Sequence, residues 1–168
     1  MNPFKALDDM RTIKQLLTDA ERIARELGEE EPGAEHLFLA AMDLPDGTAI
    51  RALGTVGVDA DRIRTALREE QAAALVSVGV PREAAEAMAI PEPLGAGAPI
   101  LYGAGPSARE AFQAAGAMAR SAKQRLAGAH VIAAVAETER GTRVRVLERM
   151  GVDRQRLADA ARVELAAR

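Results

Sequence analysis

The sequence predicts an all-α protein made from one four-helix unit used twice. Three observations carry this reading. First, apolar residues make up 48% of the 168-residue chain, yet only Phe4, Phe38, Tyr102 and Phe112 are aromatic. The core must then be built from Leu, Ile, Val, Met and Ala, and small, strongly helix-forming side chains let helices pack closely. Second, the segment Glu35–Ile63 falls on Ala129–Leu157 without a gap at a fixed offset of 94 residues. His36 meets His130, Gly47-Thr48 meets Gly141-Thr142, and Arg51 meets Arg145. Leu53 meets Leu147, Gly57-Val58-Asp59 meets Gly151-Val152-Asp153, and Arg62 meets Arg156. Shared apolar, Gly and Asp positions at one offset mean one structural unit repeated. Third, the apolar residues recur at helical spacing between recognisable start and stop signals.

The first helix is expected over residues 5–27, where Ile13, Leu16, Leu17, Ala20, Ile23, Ala24 and Leu27 form one stripe. Gly28 is a C-cap candidate, and the acidic loop Glu29-Glu30-Glu31-Pro32 follows. A short helix is expected over about 34–43. Leu44-Pro45-Asp46-Gly47 turns the chain into a third helix from Thr48 to about Gly54. Gly57-Val58-Asp59 turns it again, and Asp59 is placed to N-cap a fourth helix carrying Ile63, Leu67, Ala74, Leu75 and Val78. Pro81 suits the first turn of a small helix reaching about Ala89. Residues 91–106 are rich in Pro and Gly, which is linker chemistry, and the apolar triplet Ile100-Leu101-Tyr102 within them is expected to dock on the helices. Residues 107–168 replay the pattern at about 107–124, 128–137, 142–150 and 153–167. Units of this kind cannot bury their apolar faces alone, so the two are expected to pack into one compact, pseudo-symmetric domain. Its parts are repeat one over 5–78, a helix and linker over 79–106, and repeat two over 107–168.

The chain has no cysteine, so disulfides, thiolate catalysis and thiolate metal sites are excluded, and a reducing cytoplasm is the expected setting. Charges at Lys5, Asp8, Asp9 and Arg11 speak against a signal peptide there, and no apolar run is long enough to span a membrane. The net charge of −3 is unevenly split: residues 107–168 hold 12 basic and 7 acidic residues, and the rest hold 10 and 18.

The residues Gly33-Ala34-Glu35-His36-Leu37, with Gly47, Leu53, Gly57-Val58-Asp59 and Ile63, resemble the Clp repeat. Its usual form is G-T-E-H-[IL]-L, a Gly-containing turn, a V-L pair, and L-G-[IV]-[DS] before the next helix. Two such repeats make the N-terminal domain of the Clp AAA+ unfoldases, and the resemblance here is ClpC/ClpA-like. It covers about 8–78 and 107–167. The second copy, Gly128-Ala129-His130-Val131, lacks the usual Thr and Glu. No G-x-x-x-x-G-K-[ST] occurs, so the phosphate-cradling loop of the ATPase is missing and the chain reads either as a stand-alone double-repeat protein or as an excised domain.

The resemblance implies a non-catalytic module of the Clp chaperone–protease system that recognises substrates, adaptors or peptide ligands. It would act as an adaptor delivering clients to an unfoldase, or as a decoy capturing ligands of the unfoldase's own N-terminal domain. Cyclic peptide antibiotics are among the ligands the resemblance implies. The ligand pocket is expected near the N-terminal helix and the inter-repeat linker, at Phe4, Lys5, Met10, Val80, Pro81, Glu83, Glu86 and Tyr102. In relatives that degrade arginine-phosphorylated proteins, the Glu of G-T-E-H binds the modified guanidinium and the Thr lies near the phosphate. Glu35 matches that Glu, Ala34 replaces the Thr, and Ala129 replaces the Glu of the second copy.

Other chemistry finds little footing. His36 and His130 occupy equivalent places, which argues for a structural task near the start of each second helix rather than a metal site. The Gly-rich stretch Gly95–Gly105 follows no predicted strand, so it does not read as a nucleotide-binding loop. Arg140, Arg143, Arg145, Arg149, Arg154 and Arg156 could meet phosphates, which makes a helical nucleic-acid-binding regulator the alternative reading. No aromatic platform accompanies them, and acidic residues alternate with them. No nucleophile motif such as G-x-S-x-G is present, so no catalytic residue, cofactor or metal is assigned. The expected partner is a Clp unfoldase or its clients and adaptors, with no nucleic acid and no membrane, and the expected state is a monomer.

Overall fold

A computed structural model describes residues 3–89, 104–138 and 142–168, without the side chains of 3–8 and 142–144. Among the described residues there are nine helices and no strand. Repeat one contributes α1 (Pro3–Glu26), α2 (Ala34–Met42), α3 (Thr48–Thr55) and α4 (Ala60–Ser77). A short α5 (Arg82–Met88) follows. Repeat two contributes α6 (Pro106–Ser121), α7 (Gly128–Ala136), α8 (Thr142–Arg149) and α9 (Arg154–Ala166). The all-α, twice-used four-helix unit is what the composition and the repeat predict.

The turns show why the same residues recur. Gly57 and Gly151, at φ +73° and +67°, close the third helix of each repeat. The next amide then bonds back, Val58 to the Leu53 carbonyl at 3.1 Å and Val152 to the Leu147 carbonyl at 2.9 Å. Asp59 accepts from the Arg62 amide at 2.8 Å, and Asp153 from the Gln155 and Arg156 amides at 2.8 and 3.2 Å. Each Asp thus satisfies amides that a helix start leaves open. Helices α1 and α6 also end alike. The Glu29 amide bonds the Ala24 carbonyl at 2.8 Å, and the Gln124 amide bonds the Ala119 carbonyl at 2.9 Å. This closure needs a left-handed residue one place earlier. Gly28 supplies it in repeat one at φ +75°, whereas Lys123 supplies it in repeat two at φ +56°. Lys123 is why α6 stops at Ser121, earlier than the expected 124.

The second helix of each repeat forms the centre. Every residue of α7 and all of α2 except Glu35 are buried, and α2 packs on α7. Helix α1 lies on α2, and α6 lies on both α2 and α7. The outer helices cross between repeats: α3 packs on α9, and α8 packs on α4. Leu16, Leu37, Leu39 and Leu53 from one repeat and Val131, Ile132, Val135 and Leu157 from the other are fully buried in a shared core. Such residues contribute about 1.5–3 kcal/mol each on burial. The many buried alanines contribute closeness instead. At Gly128 the approach is closest: a Cβ there would lie 2.7 Å from the Ala41 carbonyl oxygen and 2.8 Å from the Ala49 Cβ. The second repeat therefore needs glycine where the first has Ala34.

The repeats are not identical in packing. Helix α9 runs closely along α7, whereas α4 touches α2 lightly and leans on α5 and α8. Among the described residues, no helix is long and apolar enough to cross a membrane.

Candidate functional site

A cleft opens between α1 and α6, the first helices of the two repeats. Leu17, Ala20 and Glu21 of α1 form one wall, and Ala108, Arg109 and Phe112 of α6 form the other. Leu37 of α2 lies at its base, with Pro32 and Ala104 at its ends, and its volume is about 190 Å³. Leu17 and Phe112 hold corresponding places, as Leu16 and Ala111, Ala20 and Ala115 do on the buried faces of the same helices. Seven of the nine lining side chains are therefore apolar, and the exceptions are Glu21 and Arg109. Glu21 is only 7% exposed and its Oε2 is buried without a hydrogen-bond partner.

A second groove lies between α4 and α5, with a volume of about 520 Å³. It is larger but charged: Arg68, Glu69, Arg82, Glu86 and Arg149 line it beside Ala72, Ala73, Val76 and Ala89.

The residues expected to form a ligand pocket divide between separate places. Met10 is exposed on α1, next to Asp9, which lies 3.5 Å from Arg125 ahead of α7. Val80 and Pro81 form the turn into α5, Glu83 is exposed on α5, and Glu86 lines the α4–α5 groove. Helix α5 packs on α4 while α1 packs on α2, and this separates the two groups. The side chains of Phe4 and Lys5, and all of Tyr102, lie outside the described residues. Leu17, Glu21 and Phe112 were missed, although Glu21 carried a signal: it falls four residues after Leu17 and three before Ala24, inside the apolar stripe of α1.

Glu35 sits in the first turn of α2, where a carboxylate suits the helix dipole. Its carboxylate folds back over Gly33, and its Oε1 lies 3.6 Å from His36 Nδ1. Beside it the Ala34 amide donates to Ser107 Oγ of α6 at 3.2 Å. The place where the repeat motif carries Thr is thus tied to the other repeat through its backbone.

The two histidines do the same work. His36 Nδ1 accepts the Gly33 amide at 2.8 Å, and His130 Nδ1 accepts the Ala127 amide at 3.1 Å. Both rings are buried, and a neutral imidazole whose Nδ1 accepts must carry its proton on Nε2. Glu29, Glu35 and His36 bring ligand-type atoms within 4.8 Å of one another. The lone pair a metal would need on His36 is, however, already spent on Gly33. Burial pushes the His130 pKa below its ordinary value, and the positive charge of Arg168 adds to this.

Arg145, Arg149 and Arg154 of the basic half are engaged within the fold. Arg145 and Arg149 both reach Glu70, the latter at 2.8 Å. Arg154 bonds the Thr138 carbonyl oxygen. These contacts take up charge that the nucleic-acid reading would need free.

The repeat, the two Nδ1-accepting histidines and the crossed outer helices are now joined by a direct match: the Clp repeat (R) N-terminal domain covers residues 11–87. Residues 11–87 belong to the Clp repeat N-terminal domain family. No curated protein matches the chain. The match runs from within α1 to most of α5. Residues 106–168 lie outside it and repeat its four-helix order, its Nδ1-accepting histidine and its Gly-Val-Asp turn. The first repeat is thus of the Clp kind, and the α1–α6 cleft lies between the first helices of the two four-helix repeats.

Proposed function

We propose that this Clp N-terminal domain is a non-catalytic polypeptide-binding module that receives clients, adaptors or peptide ligands in the α1–α6 cleft. The observation that carries the reading is the cleft itself: apolar walls from both repeats converging on two polar side chains. Peptide-binding sites commonly combine an apolar surface with a few placed polar groups. The chain then acts for a Clp unfoldase as an adaptor or, equally, as a decoy. Cyclic peptide antibiotics, which carry apolar side chains on a preorganised backbone, are ligands of the same class. Phosphoarginine at Glu35 is a lesser reading, since the carboxylate is folded onto its own helix start.

The test is fluorescence anisotropy with a labelled, permanently unfolded polypeptide. Wild type should bind, and Phe112→Glu should weaken binding about tenfold or more, a loss of about 1.4 kcal/mol per decade. Equal binding by both proteins would remove the cleft from the reading. Binding to a purified Clp ATPase, measured in parallel, separates adaptor from decoy: an adaptor docks on the machine and a decoy does not.

A further inference from the structure

Glu21 gives the cleft a charge preference. Its side chain lines an apolar cavity, and among the described residues its buried Oε2 has no hydrogen-bond partner and no salt bridge to Arg109 on the facing wall. A carboxylate taken out of water without a partner is strongly disfavoured. A bound cation would relieve that cost and gain a charge-assisted hydrogen bond in surroundings of low polarity.

Resting on the reading of the cleft as a polypeptide site, we propose that Glu21 selects a lysine side chain of the bound polypeptide. The shape supports lysine. Leu17, Leu37, Ala108 and Phe112 offer a greasy wall to the four-carbon stem, and lysine stems bury in this way while the ammonium seeks a polar end. The polar end here is one unpartnered oxygen, Oε2. An ammonium is a compact charge that can turn any one of its three N–H groups to a single oxygen, whereas a guanidinium presents a planar fork suited to two acceptors.

The probe is an N-acetylated, C-amidated peptide with one lysine between two leucines, compared with peptides carrying norleucine, Nε-acetyl-lysine or arginine instead. Calorimetric titration should show wild type binding the lysine peptide about tenfold tighter than the norleucine peptide, about 1.4 kcal/mol. Glu21→Gln should erase that preference while keeping norleucine binding. Glu21→Leu should reverse it, and both variants should melt no lower than wild type. Equal binding of lysine and norleucine by wild type, or a preference that survives in Glu21→Gln, overturns lysine selection and leaves the cleft reading standing. Tighter binding of the arginine peptide overturns the single-point ammonium. Failure of all four peptides to bind overturns both this inference and the cleft reading.

Discussion

Arg145 of the second repeat donates to Glu70 of the first, and Arg51 of the first donates to Glu164 of the second at 2.7 Å. Both members of the second pair lie 94 residues from their counterparts, so the two contacts are one contact made twice across the repeat interface. They pin α8 to α4 and α3 to α9. They are not equally deep: the Glu70 side chain is 10% exposed and also receives Arg149, whereas that of Glu164 is 21% exposed. Glu70→Ala should therefore cost about 1–3 kcal/mol, as for lost hydrogen bonds to charged groups. Glu164→Ala should cost about 0.2–1 kcal/mol, as for an exposed pair. Urea melts of the two variants measure the difference. Burial pushes the Glu70 pKa up, but hydrogen bonds from Arg149 and Arg145 outweigh it and hold the group below its ordinary value of 4.5. Its contribution is present above that pH and is lost as the pH falls through the lowered folded value.

His130 sets a second pH dependence of the same sign. Its folded pKa lies below the ordinary value of 6.5, so the unfolded chain takes up the proton first. Stability should be flat above about pH 7 and decline as the pH falls through 6.5, by about 1.4 kcal/mol for each pKa unit of depression. In His130→Gln this part of the slope should vanish, at the cost of a lower stability throughout. Thermal melts from pH 5 to 8, about the range over which histidine titrates, check both statements.

Lys123 holds a left-handed conformation where repeat one uses Gly28. Lys123→Gly should relieve strain of about 1–2 kcal/mol while adding freedom to the unfolded chain, for a net gain of about 0.5–1 kcal/mol. Gly28→Lys should lose a similar amount. A matched pair of denaturant curves tests the symmetry directly.

Glu21 is expected to trade stability for binding. Glu21→Leu removes an unpartnered buried carboxylate and fills the stripe of α1, so it should raise stability by about 1–3 kcal/mol. A fall in melting temperature would mean that the carboxylate is satisfied in the folded protein.

Much of the fold was legible because its signals are local. The Gly-Val-Asp turns, the helix caps and the stripe of α1 depend on neighbours in sequence, and the helix boundaries fell close to expectation. The repeat alignment ended at Leu157 and so stopped short of the Glu70–Glu164 correspondence, which the same offset would have shown. Gly128 was not legible: its need for glycine comes from Ala41 and Ala49, which only tertiary packing brings near. The same holds for the cleft, since Leu17 and Phe112 come to line one cavity only when α1 and α6 are both seated on α2 beside Leu37. Placing the pocket at the longer linker followed the sequence feature that differs most from the repeat. The α1–α6 cavity is instead lined from the first helix of each repeat.

Hydrogen–deuterium exchange of the full chain with and without a bound unfolded polypeptide tests the site most directly. Protection should appear in α1 around Leu17–Glu21 and in α6 around Ala108–Phe112, with α4 and α5 unchanged. Protection confined to the charged groove between α4 and α5, or none anywhere, would contradict a binding cleft between the first helices of the two repeats.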